Sequence, residues 1–99
     1  MSDIRLTVME AISRQRTFSA RYNDEVVVLA PHLLFERHGD LFAVALNMSK
    51  NWRSDEDRRL GQFKLAGLGS PELHDDAFEP LPSYDATAPR ADDTIILKL

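Results

Sequence analysis

One polar segment of the chain has residue types that could bind a nucleotide. This segment, the basic aromatic loop (residues 49–59), contains Lys50, Trp52, Arg53, Arg58 and Arg59. An indole ring can stack on a base, and neighbouring cations can hold its phosphates. The loop therefore predicts binding of a nucleotide-like ligand or of short single-stranded nucleic acid. The alternative is a solvated loop in which the arginines pair with the acidic run 55–57 and the indole folds back over the sheet.

Metal binding and catalysis have weaker signals. His32, His38 and His74 are the metal-ligand candidates, but none lies at the short spacing from another ligand that zinc sites use. We expect them to be solvated loop residues. No serine occupies a Gly-x-Ser-x-Gly turn, and the acidic clusters fall in predicted loops, where carboxylates keep ordinary pKa values. We predict no enzymatic activity, no metal and no cofactor.

An N-terminal helix is predicted over residues 3–16. Ile4, Val8, Met9 and Ile12 recur at helical spacing and form one apolar stripe. Ser2 is a plausible cap, because its hydroxyl group can accept a hydrogen bond from a free backbone N–H of the first turn. We expect the stripe to cover an open end or edge of a sheet.

From residue 17 the apolar period changes to two, which indicates short strands. The predicted strands are 18–22, 26–29, 33–37, 41–46 and 61–65, with turns at Asn23-Asp24 and at 38–40. Pro31 should end or bend the second strand because it has no N–H to donate. Ser70 and Pro71 could open a single helical turn. One helix and about five strands predict a small, mainly β barrel, α+β by content.

The C-terminal part differs in composition. Residues 79–93 hold three of the five prolines and few large apolar groups, which predicts a linker or a loosely tied tail. The segment 94–99 is β-prone and must pair with its own sheet or with a neighbour's. We therefore divide the chain into a domain over 1–80 (helix 3–16, barrel 17–68, closing segment 70–80) and a Pro/Asp-rich tail over 81–99.

Bulk properties limit the functional classes. The chain has 99 residues, no cysteine and a net charge of −4. Two Lys/Arg stand against seven Asp/Glu in residues 65–99, and this acidity argues against general nucleic-acid affinity. No signal peptide is visible, and every apolar run is shorter than the roughly 18 residues that span a bilayer. We expect a soluble, cytoplasmic protein with no membrane contact.

Six segments, in order, resemble the WYL domain family. They are Ala11-Ile12 with the basic stretch after it, the strand ending in Tyr22, Pro31 with the leucines after it, Gly39 with the strand ending in Val44-Ala45, Phe63-Lys64-Leu65, and Phe78-Glu79-Pro80. WYL domains are small β-barrels that sense ligands in bacterial transcription regulators. The resemblance implies an SH3- or Sm-like barrel and ligand-binding roles for Tyr22 and Lys64.

The chain departs from the WYL pattern at the polar positions. The triplet that names the family falls at Leu41-Phe42-Ala43, and Ala66-Gly67 stands where the family has Asp-Arg. The arginine that precedes the family's proline is missing from Val26–Ala30. An apolar residue cannot imitate the planar fork of arginine. Either the ligand is less anionic than the family's, or ligand binding has been lost.

The sequence leaves two alternative functions open. The first is a binding and regulatory module for a nucleotide-like or other small ligand, with candidate residues Tyr22, Trp52, Arg53, Arg58, Arg59 and Lys64. The second is a protein-interaction or oligomerisation module with a degenerate pocket, pairing with itself or with another chain through an exposed edge strand or through the terminal strand Ile95–Leu99. The chain is too short for the helix-turn-helix that usually accompanies this barrel, so we expect no sequence-specific contact with duplex DNA by this chain alone.

Overall fold

The computed structural model describes residues 3–99, apart from the side chain of Asp55. Within this range one α-helix precedes six β-strands: α1 Ile4–Arg14, β1 Arg16–Tyr22, β2 Glu25–Arg37, β3 Asp40–Asn47, β4 Leu60–Lys64, β5 Gly69–Ala77 and β6 Thr94–Lys98. Short 3-10 turns occupy Asp55–Asp57 and Leu65–Gly67. The chain is therefore mainly β with one helix, and this part of the predicted fold class is confirmed.

The helix α1 is capped by Asp3, whose carboxylate accepts a hydrogen bond from the Arg5 N–H at 2.9 Å. Ser2, the predicted cap, lies outside the described residues. The buried face of α1 comprises Val8, Ala11 and Ile12. Met9 is exposed, contrary to the prediction, because it lies a further 100° around the helix from Val8. The helix packs against the sheet, as expected for an amphipathic stripe.

The six strands form one antiparallel sheet in the order β4-β3-β2-β1-β5, and β6 pairs with β2. The strand β2 is 13 residues long and joins the two strands predicted at 26–29 and 33–37. Its first half pairs with β1, its second half pairs with β3, and β6 pairs with residues 33–36. In this second half, β3 occupies one edge of β2. The other edge, which β1 occupies in the first half, is occupied here by β6.

Pro31 lies at the middle of β2, where it bends the strand but does not end it. The pairing with β3 shifts register between Pro31 and Leu33, and on the other edge β2 changes partner from β1 to β6. A bulge and a change of partner are the places where a strand accommodates proline, which has no N–H for the ladder.

The sheet is curled but not closed into a barrel. Tyr22 of β1 and Phe63 of β4 contact each other edge to face, with ring centroids 5.5 Å apart. Three strand spacings would separate these strands by about 14 Å in a flat sheet. The prediction of about five strands is close to the six observed, but the predicted closure into a barrel is wrong. The two end strands of the described sheet pair with different neighbours: β4 pairs with β3, whereas β5 follows the turn Leu65–Gly67 and pairs with β1.

Two faces of the sheet are covered by different parts of the chain. The inner face packs against α1 through a core that includes Phe18, Leu29 and Leu34. The outer face is covered by residues 78–93, which we call the strap. Leu81 of the strap is 7% exposed and packs against Ala30 and Leu46. The segment expected to be a linker or a loosely tied tail is thus attached to the sheet.

The far end of the strap is fixed by an ion pair. The Arg37 guanidinium donates to both carboxylate oxygens of Asp93, each at 2.7 Å, and the Asp93 side chain has no exposed surface. Arg37 also lies over the stacked rings of Phe35 and Phe42, at 5.0 and 5.2 Å from their centroids. The strap then continues into β6, so the β-prone C-terminal segment pairs within its own sheet.

The connections include two confirmed turns and one error. Asn23-Asp24 and His38-Gly39 have positive φ at both residues, as the tight turns between antiparallel strands require. The helical turn predicted at residues 70–73 is wrong, because this segment belongs to β5 and pairs with β1. Across residues 3–99, no helix has the length and apolar character that crossing a membrane requires.

Candidate functional site

The basic aromatic loop joins β3 to β4 and holds Trp52 against the outer face of the sheet. The indole N–H donates to the Asn47 carbonyl at 2.9 Å, and the ring packs against the cluster of Ala30, Leu46 and Leu81. The Lys50 ammonium lies 4.5 Å from the ring centroid. Packing and the hydrogen bond fix the indole, whereas the Lys50 side chain is exposed and makes a cation–π contact with it.

The indole lies beside a cleft of about 350 Å³, which we call the tryptophan cleft. Its lining residues are Lys50, Asn51, Trp52, Arg53, Asp57 and Arg59. Among the side chains that the structure describes, this lining therefore has three positive groups and one carboxylate. Such an excess of positive charge around an aromatic ring suits an anionic ligand with a planar group.

Arg59 is positioned by backbone carbonyl groups. Its Nη1 donates to the Glu56 carbonyl oxygen at 2.8 Å and to the Arg58 carbonyl oxygen at 3.2 Å. Arg58 donates to the Met48 sulfur at 3.5 Å. The predicted alternative has two parts. The indole does fold back over the sheet. Arg59, however, donates to backbone carbonyl groups and not to a described carboxylate of the run 55–57, and the side chain of Asp55 lies outside the described residues. Carbonyl groups orient the guanidinium without cancelling its charge.

Arg59 also lines two further clefts. The strap cleft, about 540 Å³, lies between Glu56, Arg58 and Arg59 of the loop and residues 79–83 of the strap. The inner cleft, about 240 Å³, contains Trp52, Arg59 and Phe63. Arg59 is thus common to the three clefts, and the strap forms one wall of the largest.

The two candidates that come from the WYL resemblance lie apart from this loop. Lys64 forms an exposed ion pair with Asp40 at 3.3 Å. Tyr22 contacts Phe63, which lines the inner cleft, so Tyr22 reaches that cleft only through Phe63. Because successive side chains of a strand point to opposite faces, Lys64 and Phe63 face opposite sides of the sheet. The structure therefore brings together Trp52, Arg53 and Arg59, but not Tyr22 with Lys64, and it places Arg58 in the strap cleft.

The histidines do not form a metal site. His74 lies 3.0 Å from the Ser19 hydroxyl oxygen, and the exposed His38 lies 3.9 Å from Asp92. Among the residues that the structure describes, no three His, Asp or Glu side chains are placed to share a metal ion. Two of the three histidines contradict the expectation of solvated loop residues. His32 belongs to β2 and is fully buried, and His74 belongs to β5 and is half-buried.

His32 is the buried polar centre under the strap. Its Nδ1 lies 2.8 Å from the Ala30 carbonyl oxygen, and its Nε2 accepts a hydrogen bond from the Leu81 N–H at 3.0 Å. The ring must therefore be neutral with its proton on Nδ1. The Tyr84 hydroxyl donates to the His32 carbonyl oxygen at 3.2 Å. Burial lowers the pKa of His32 from its usual 6.5, and the Ala30 carbonyl group opposes this effect.

No family model, curated protein or solved structure matches this chain. The resemblance to WYL domains consequently rests on the residue pattern alone.

Proposed function

We propose that this protein is a non-enzymatic module that binds a small anionic ligand with an aromatic group, such as a nucleotide, in the tryptophan cleft. One observation carries the proposal: among the side chains that the structure describes, three cations, Lys50, Arg53 and Arg59, and one carboxylate, Asp57, line the cleft beside the fixed indole. The WYL resemblance supports the same class of function, ligand sensing in bacterial gene regulation, with a partner chain supplying any DNA contact.

The contacts of the loop suggest how such a ligand is held. Lys50 covers one face of the indole, so a base that stacks there must displace its ammonium group. The exposed Lys50 side chain can then follow the ligand's phosphate. Arg59, which its carbonyl partners hold in place, offers its remaining N–H groups as charge-assisted donors. Arg53 is exposed at the rim and adds to the attraction.

A proton–nitrogen NMR titration with mono- and dinucleotides and short single-stranded oligonucleotides tests the proposal. We expect saturable shifts centred on Trp52 and Arg59. Arg59→Gln should weaken binding by about tenfold, since one charge-assisted hydrogen bond contributes about 1.5 kcal/mol or more. Arg21→Gln is the matched control, because Arg21 is an exposed arginine of β1 outside the three clefts.

Two results would contradict the proposal. One is an Arg59→Gln variant that binds as tightly as the Arg21→Gln control. The other is a set of shifts that maps away from the loop, for example onto Lys64. A flat titration with every probe would turn attention to the second function.

The second candidate function is a protein-interaction module that uses β6. Ile96 is 42% exposed on this strand and is available to an apolar partner surface. Since β6 already pairs with β2, we propose that contact involves its exposed side and leaves the strand in place. Sedimentation of the wild type and of Ile96→Asp tests this: a self-associating wild type should become monomeric in the variant. Equal masses for both proteins would remove self-association through this surface.

A further inference from the structure

The buried ring of His32 connects the strap to the sheet at one point. Both of its nitrogens are used: Nδ1–H donates to Ala30 of the same strand, and Nε2 accepts from Leu81 of the strap. Phe78 and Tyr84, also in the strap, pack against the ring with centroids 5.3 and 5.1 Å away. The first half of the strap, residues 78–84, is therefore organised around this one imidazole.

A proton on Nε2 is incompatible with this arrangement. An imidazolium has an N–H at both nitrogens and accepts no hydrogen bond. The new N–H on Nε2 would point at the Leu81 N–H, so two hydrogen-bond donors would face each other. A positive charge would also be buried among Phe78, Leu81 and Tyr84. A buried donor without a partner and an unpaired buried charge are both strongly unfavourable.

The groups that face His32 offer little to stabilise this charge. From the strap, Tyr84 is the titratable residue in contact with the ring, and burial raises its pKa, so it is neutral at acidic pH. Asp85, which follows it, is exposed. From β3, the residues opposite this part of β2 are Ala45 and Leu46. Directly after β6, the Leu99 N–H donates to the His32 carbonyl oxygen, 3.0 Å away.

We propose that His32 is a proton-operated latch: protonation of its ring releases residues 78–84 from the sheet and so opens one wall of the strap cleft. The far end of the strap stays attached, because Arg37 lowers the pKa of Asp93 and keeps this carboxylate ionised in mild acid. The released segment is thus a flap tethered at both ends. That the flap affects ligand binding rests on the proposed function. Leu81 lines the strap cleft together with Arg59, and Arg59 also lines the tryptophan cleft, where the ligand is proposed to bind.

The sign of the pH dependence follows from linkage. In the released state His32 is solvated and has an ordinary pKa of about 6.5, whereas in the attached state its pKa is lower. Above pH 6.5 protons do not affect the ratio of released to attached strap. Below pH 6.5 the released state binds more protons, so the ratio rises by up to about tenfold for each pH unit until the attached ring also titrates.

Amide hydrogen exchange of the ligand-free protein, followed by NMR, measures this ratio directly. The Leu81 N–H should lose up to about tenfold in protection, corrected for intrinsic exchange, between about pH 7 and about pH 5.5. Amides of β1 and of the first half of β2 should keep their protection, since they pair with each other and not with the strap. Unchanged protection at Leu81, or an equal loss throughout β1 and β2, would overturn the latch.

The variant His32→Gln tests the role of the imidazole. Its Gln side chain can also accept and donate hydrogen bonds but does not titrate in this pH range. We expect the pH dependence of Leu81 exchange to disappear in it, and its persistence would overturn the latch. Should the variant not fold, the wild-type exchange data still decide. The nucleotide titration is independent: loss of binding in Arg59→Gln with pH-independent Leu81 exchange supports the proposed function and rejects the latch.

Discussion

Leu81→Ala tests whether the strap is an integral part of the fold. Leu81 is 7% exposed and packs against Ala30 and Leu46 of the sheet. The substitution removes three carbon groups, at about 0.8 kcal/mol for each when buried. The expected loss is about 2 kcal/mol of unfolding free energy, rising toward about 3 if the space left by the side chain cannot collapse. In a domain of this size that lowers the melting temperature by roughly 10 °C or more.

Leu6→Ala is the matched control, because Leu6 is 65% exposed on α1 and undergoes the same chemical change. Surface substitutions of this kind usually change stability by less than about 0.5 kcal/mol. Urea denaturation of the two variants, followed by far-ultraviolet circular dichroism, gives both values. If Leu81→Ala is as stable as Leu6→Ala, the strap does not contribute to the core of the folded state, and the latch loses its structural basis.

Two further predictions concern the ends of the sheet. Asp93 has a pKa lowered chiefly by its hydrogen bonds to Arg37, so its charged form stabilises the fold above about pH 5. This contribution is lost as pH falls through 3.8 toward the lowered pKa of Asp93. At about pH 5 the urea midpoint of the wild type should exceed that of Asp93→Asn. At about pH 3 the difference between the two midpoints should be smaller. Gly39 has φ +83° with nothing within 4 Å of an added Cβ, so Gly39→Ala should cost about 1 kcal/mol from backbone strain alone, and Gly39→Asn less. Equal midpoints for all three residues at position 39, or a gap at position 93 that does not change with pH, would contradict these assignments.

Local chemistry made part of the fold predictable from sequence. Helical spacing marks Ile4, Val8 and Ile12, and this face does cover the sheet. The positive φ values at Asn23-Asp24 and at His38-Gly39 are what turn residues of these types adopt at little cost. Each of these features depends on residues close together in the chain, and pattern reasoning is strongest there.

The errors arise where distant residues decide the structure. Pro31 is a strand breaker by local rules, but its strand continues because β2 changes partner at that point. The strap has the composition of a linker, and only contacts with residues some fifty positions away, His32 and Arg37, attach it to the sheet. Nothing in the spacing of the three histidines distinguishes the buried His32 from the exposed His38.

The candidate site was predicted in part. The basic aromatic loop was visible because its residues are adjacent in sequence, and the structure gathers Trp52, Arg53 and Arg59 around one cleft. The role of the strap as a wall of the neighbouring cleft was not visible, because it requires the long return of the chain across the outer face. Lys50 was part of the recognised loop, but its position over the indole depends on side-chain packing.

The pairing of β6 with β2 also has a consequence for synthesis of the chain. Residues 33–36 of β2 are made about sixty residues before their partners in β6. While the chain grows from the ribosome, this edge of β2 has no partner and can pair with another nascent chain. Contacts of such large sequence separation also form slowly. The second half of β2 is therefore the place where aggregation during translation should begin, and where a chaperone would act.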